Sequence, residues 1–145
     1  MSSSEGWGPS PITGYTRRMV TIHRLPDCGN APRRELLAAL VIALAKHDAD
    51  HVDSVLADDI AWRILGQRIL EGRDGVRQWI AATPPVEEVS FGSLLTHGRG
   101  ASVDGVLVLH DGTRQAFCHV LRFAGAAKTA KVLEADSYLI ALPAH

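Results

Sequence analysis

Beyond Pro84-Pro85 the apolar residues recur at nearly every second position, first in VEEVSFGSLLTHG, then in ASVDGVLVLHDG, TRQAFCHVLRFAG and AKVLEADSYLIAL. A period of two marks a strand with one face on a core, so this part of the chain reads as four consecutive long strands. His110-Asp111-Gly112-Thr113 supplies a hairpin turn after the second strand, and AGAAKTA a looser connection after the third. Ahead of the prolines the pattern is helical. Asn30 is placed to cap a helix of about Ala31 to Lys46, with Pro32 in its first turn and a centre, LLAALVIALA, that is apolar on nearly every face. Such a helix must be covered on most sides. Asp50 is placed to cap a short second helix with Val52, Val55 and Leu56 on its inner side, and IAWRIL then alternates as a strand. GQRILEGR reads as a bend, and Asp74 as the cap of a third helix, GVRQWIAA. Helices followed by a run of strands predict an α+β domain, its mostly antiparallel sheet covered on the apolar face by the helices.

The first residues break the pattern. MSSSEGWGPSPITGYTRR is rich in Ser, Gly and Pro and has no period, which predicts a disordered arm over 1–18 and a single domain over 19–145. A chain of 145 residues with 46% hydrophobic content can bury one core without staples. Its formal charge of -1 argues against nucleic acid or an anionic membrane as partner. The longest apolar run, Leu36 to Ala45, is too short to cross a bilayer, and no signal peptide precedes it, so a cytoplasmic location is expected. Cys28 and Cys118 form neither a zinc ribbon nor a CxxC motif and are expected as reduced thiols. His47-Asp48-Ala49-Asp50-His51 has the residue types of a metal cluster. A helix break between the two histidines denies them a shared face, however, and a polar corner between helices accounts for the stretch.

The phrases LADDIAWRI, EGRDGVRQWI, AFCHVLRF and KVLEADSYLI resemble the nuclear transport factor two-like superfamily. Ketosteroid isomerases, limonene epoxide hydrolases and SnoaL-like polyketide cyclases share that fold, and DCGNAPRREL with AFC and SYLI resembles a bacterial branch of it. The resemblance spans roughly Met19 to Leu142. It implies a cone-shaped α+β fold, about three N-terminal helices packed on a curved sheet, with an apolar pocket open at one end. It also implies a small-molecule ligand, a homodimer formed through the outer sheet face, and no metal or organic cofactor. By the isomerase pattern the general base falls near Ile64, which cannot move a proton, and the oxyanion-hole acid near His119, which can donate a hydrogen bond. By the epoxide hydrolase pattern the two acids fall on Asp104 and Asp136, the arginine on Ser102, and the water-holding residues on Trp62 and Ile64.

These positions make Asp104, Asp136 and His119 the candidate catalytic set. Two carboxylates facing one apolar cavity would split their pKa values, leaving an acid beside a base. The alternative is that Asp104 marks a bend before Gly105 while Asp136 faces solvent or bonds a neighbour. Strand parity places Phe117, Leu121 and Phe123 on the same face as His119, and Cys118 on the other. With Trp62, Ile64, Ser102 and Tyr138 they form the candidate ligand wall. Asp58 and Asp59 read as a polar hinge between helix and strand. Two functions fit: a SnoaL-like protein that binds a small hydrophobic or partly polar molecule, with weak isomerase, cyclase or hydrolase-type activity, or a non-catalytic dimeric binding or assembly module. Convergence of Asp104 and Asp136 inside a closed cavity separates them.

Overall fold

The computed structural model describes residues 19–24 and 32–144. The expected arm over 1–18, the turn holding Cys28 and the Asn30 cap lie outside the described residues. Helix α1, Pro32–Ala45, is followed by α2, Ala49–Val55, and α3, Gly72–Ala82. The strands are β1 Thr21–His23, β2 Leu56–Ile64, β3 Arg68–Glu71, β4 Val86–His97, β5 Gly100–Leu109, β6 Arg114–Phe123 and β7 Val132–Ala141.

Helix α1 is covered as its composition requires: none of the residues from Leu36 to Ala45 is exposed. Two residues past its end stands His47, whose φ of 58° is left-handed. There the Asp48 N–H donates to Ala43 O (2.8 Å) and the His47 N–H to Leu44 O (3.2 Å), satisfying carbonyls that the helix end leaves open. This tight stop moves the next cap forward. Asp48, two residues ahead of the expected Asp50, accepts from the His51 N–H (3.2 Å) to open α2. Asp50 is instead drawn to Arg77 of α3 (2.5 Å), which also reaches Asp53 (3.1 Å). Helix α3 buries Val76, Trp79 and Ile80, a single stripe at helical spacing, and begins at Gly72, so that Asp74 lies in its first turn and is not its cap.

All seven strands form one sheet, in the order β1-β4-β5-β6-β7-β2-β3. Four neighbouring pairs are antiparallel, while β1 with β4 and β2 with β7 run parallel, which matches the expected mostly antiparallel sheet. The stretch read as a bend, GQRILEGR, contains β3: Gly66, at φ 78°, turns the chain back so that Trp62 lies opposite Leu70. Asp58 and Asp59 are no hinge between helix and strand, because β2 already starts at Leu56. Burial of Leu56 and Ile60 holds this part of the chain on the sheet, and the two acids point outward where the register against β7 shifts. Asp58 pairs there with Arg73 (3.0 Å).

Alternation sorts the side chains into two faces. The inner face carries Trp62, Val103, Phe117, His119, Leu121, Phe123, Ala135 and Ser137, all buried against the helices in one core. Two register shifts in β4, between Val86 and Glu88 and between Phe91 and Ser93, bend the sheet over that core. Asp104 braces the second shift. Its carboxylate accepts from the Ser93 N–H (3.1 Å) and hydroxyl (2.6 Å) and lies over Gly92, where a Cβ would collide with it. On the inner side of the same place, Gly105 lets Phe117 rest on the β5 backbone: a Cβ at 105 would come within 2.9 Å of the Phe117 ring and run into Ser90 O. Gly105→Ala is therefore expected to destabilise the protein by about 2–3 kcal/mol in urea unfolding, because neither the backbone carbonyl nor the packed ring can retreat freely. A change within about 0.5 kcal/mol would contradict this packing.

Candidate functional site

A cavity of about 280 Å³ opens between the inner sheet face, the inner side of α1 and the end of α3. Val41, Leu44 and Ala45 of α1 form one wall, Trp79 and Ile80 of α3 another, and Leu107, Leu109, Phe117 and Leu139 the sheet side. The polar lining is sparse. Exposed Gln67 and Arg68, from the β2–β3 turn and the start of β3, stand at the mouth with Gln115, and His119 is the buried polar residue of the wall. Among the described residues, His119 and Arg68 are the ionisable side chains that line the cavity, and none of the lining residues is a carboxylate.

His119 is fixed from three sides. Its Nδ1 lies 2.7 Å from the Ser137 hydroxyl, directly across the β6–β7 register, and the Trp62 indole N–H donates to the same hydroxyl at 2.7 Å. The Phe117 ring lies 5.3 Å from the imidazole at a tilt of 31°, and Trp62 meets it edge-on at 6.3 Å. Trp62 in turn packs on Trp79 at 5.6 Å, which carries this buried assembly to the cavity wall. Among the described residues no protein group bonds the other ring nitrogen, Nε2.

The acids are elsewhere. Asp104 stands opposite Cys118, and Cys118 opposite Tyr138, on the outer face of the sheet; Asp136, one residue from Ser137, points to that face too. Asp136 takes both guanidinium arms of its neighbour Arg63, at 2.7 and 2.8 Å. The two carboxylates are separated by the width of β6, roughly 10 Å, and by two residues of register. The expected convergence of Asp104 and Asp136 with His119 in one cavity does not occur, because both acids occupy the parity opposite to the histidine. The same rule removes Ser102 and Tyr138 from the expected ligand wall, as both lie on the outer face. Phe117 lines the cavity. Trp62, Ile64, Leu121 and Phe123 are on the expected face but lie in the core behind the lining, Phe123 under the Arg33 guanidinium. Cys118 is half-buried, and burial first, then the Asp104 carboxylate, push its thiol above the ordinary value, which lowers its reactivity. His47 of the suspected metal cluster turns to the Thr83 hydroxyl (3.0 Å).

Residues 37–130 match the family model of the SnoaL-like domain. The chain belongs to the SnoaL-like domain family. Solved structures place this SnoaL-like domain among nuclear transport factor two-like folds. An NTF-2 like protein from Burkholderia xenovorans superposes with a TM-score of 0.66 at 16% identity, over 79% of this chain and 87% of the other. A putative ketosteroid isomerase from Kribbella flavida gives 0.63 at 18% identity, over 79% and 80%. A putative SnoaL-like polyketide cyclase from Shewanella denitrificans gives 0.61 at 13% identity, over 76% and 91%. At such identities the likeness is one of fold. No curated protein matches the chain in sequence.

Ser137, Gln67, Arg68 and Gln115 were not singled out in the sequence, although Ser137 had a signal. It is a small polar residue on the inward parity of β7, between Ala135 and Leu139, where an apolar side chain is expected. In the SnoaL-like domain its hydroxyl is fully buried, and burial of the neighbouring imidazole lowers the His119 pKa to about 4. With a value of 6.5 for the unfolded chain, the stability that depends on a neutral His119 is complete above pH 6.5 and is lost as pH falls towards 4. The stability of the wild type relative to His119→Phe should thus fall by about 2–3 kcal/mol between pH 7.5 and pH 4.5 in urea titrations. A difference that stays constant across that window would place the folded-state value near 6.5.

Proposed function

We propose that this SnoaL-like domain binds a small, mainly apolar molecule in the cavity, with His119 as the buried polar contact. The observation that carries the reading is a mainly apolar cavity whose wall holds one buried imidazole with a ring nitrogen that no group among the described residues bonds. Sparse, convergent polar groups in an apolar hollow are what small-molecule sites require, one to fix orientation and the rest to supply burial. The volume suits a compact ligand. An acid–base reaction through Asp104 and Asp136 has no support from this geometry, because neither carboxylate reaches the cavity and the Arg63 pair holds Asp136 outside. The test is a titration with α-methylstyrene, followed by methyl NMR. The resonances of Val41, Leu107, Leu109 and Leu139 should shift together and saturate, while those of Leu95 and Val120 on the outer face stay in place. Unmoved lining methyls at the solubility limit of the probe, with no rise in melting temperature, would sink the reading.

A second reading concerns the outer face, which supports a homodimer of this chain. Leu95, Val120, Tyr138 and Ile140 are all exposed, at 63, 43, 43 and 60%, and the register joins them through Ser102, Cys118 and Ala116 into one patch across β4 to β7. Large apolar side chains gathered on one exposed sheet face are costly to leave in water, and a second copy of the same face covers them symmetrically. Sedimentation should show a dimer that Val120→Arg converts to a folded monomer. A wild-type monomer at every concentration up to about 1 mM would overturn this, since a dissociation constant above that corresponds to only about 4 kcal/mol.

A further inference from the structure

The Trp62–Ser137–His119 chain has a direction. An indole N–H can only donate, so the 2.7 Å contact between Trp62 and Ser137 uses the hydroxyl oxygen as acceptor. The serine then has one proton to place. If it points at His119 Nδ1, 2.7 Å away, the indole proton and the hydroxyl proton both have acceptors within the chain, and the imidazole proton is left on Nε2 for an occupant of the cavity that His119 lines. If instead Nδ1 carries the proton and donates to Ser137, the hydroxyl accepts twice and its own proton needs a further acceptor. Ser137 is 0% exposed, and among the described residues its hydroxyl has no third partner. An orphaned hydroxyl proton in a core disfavours that arrangement by about tenfold or more.

We infer that Trp62 and Ser137 are positioning residues that lock His119 as the neutral imidazole with its proton on Nε2, so that the cavity offers its ligand a donor and selects a neutral acceptor oxygen, such as a ketone or ester carbonyl, at the inner end. This deepens, and rests on, the cavity-binding reading above. The low His119 pKa agrees with a neutral ring at physiological pH. The surroundings argue for a neutral acceptor over an anionic one. The inner wall is apolar, and Arg68, the only cation of the lining among the described residues, sits exposed at the mouth, so a carboxylate pushed against His119 would be desolvated without a counter-charge from them. They argue equally against the histidine as base, because a donor nitrogen faces the ligand and the acceptor nitrogen faces the serine. Phe117 and Trp62 hold the ring plane, so a ring flip that would exchange the two nitrogens has to displace both aromatic neighbours.

Two measurements on the wild type and two variants decide it. Long-range ¹H–¹⁵N NMR at pH 7 should report His119 with a protonated Nε2 and a bare Nδ1; the reverse pattern overturns the inference. Acetophenone and α-methylstyrene share a shape and differ in a carbonyl oxygen for a methylene. Wild type should bind the ketone about tenfold more tightly, with its carbonyl infrared band shifted to lower frequency. His119→Phe should bind both probes alike, since it keeps an aromatic ring of similar size without the donor. Ser137→Ala should cut the ketone preference while leaving α-methylstyrene affinity in place, a split that loss of packing alone would not produce. Equal affinity for the two probes in wild type refutes the donor role while the cavity-binding reading stands. Failure of both probes to reach the lining methyls removes that reading and this inference with it.

Discussion

Neighbouring residues of a strand cannot face the same way, and in this protein that constraint decides almost everything about the site. Along β6 and β7 it sends His119 and Ser137 into the core and Cys118, Asp136 and Tyr138 out of it. One step of register separates a fully buried hydroxyl from a carboxylate that meets Arg63 at the surface. The helices fix which face is which. Because the centre of α1 is apolar on nearly every face, it has to lie against the sheet, and the face it covers becomes the core and the cavity wall together.

The β-strands after Pro84-Pro85, the central helix and the α+β class were legible in the sequence because each rests on a period maintained over ten or more residues. The inward placement of His119 and Phe117 was legible for the same reason. What was not legible depends on groups distant in sequence. The pairing of Asp104 and Asp136 was inferred from positions in related enzymes, yet their orientation follows from register and bulges, which single-chain patterns do not encode. Strand β3 was missed because Arg68–Glu71 is four residues long and exists only by pairing with β2. The capping role of Asp48 was missed because the left-handed residue that stops α1 is a histidine, where glycine is the usual mark.

Asp104 shows how a residue can match a catalytic pattern and do other work. Its two bonds to Ser93 hold the irregular step in β4, and that step lets β5 and β6 bring Leu107 and Phe117 over the cavity. The acid thus shapes the site from behind the sheet without touching it. Ser137 is the reverse case: an unremarkable residue in sequence that organises the only buried imidazole among the described residues.

The wall that α1 lends to the cavity has an evolutionary consequence. Val41 and Ala45 are simultaneously contacts for an occupant and bricks of the folding core, so altering them to admit a new shape also removes burial that holds helix to sheet. Gln67 and Arg68 carry no such double duty, being exposed at the mouth. Selection on a descendant of this chain therefore has an inexpensive direction and an expensive one: the rim can drift towards new polar partners, while the inner end stays committed to the same shape.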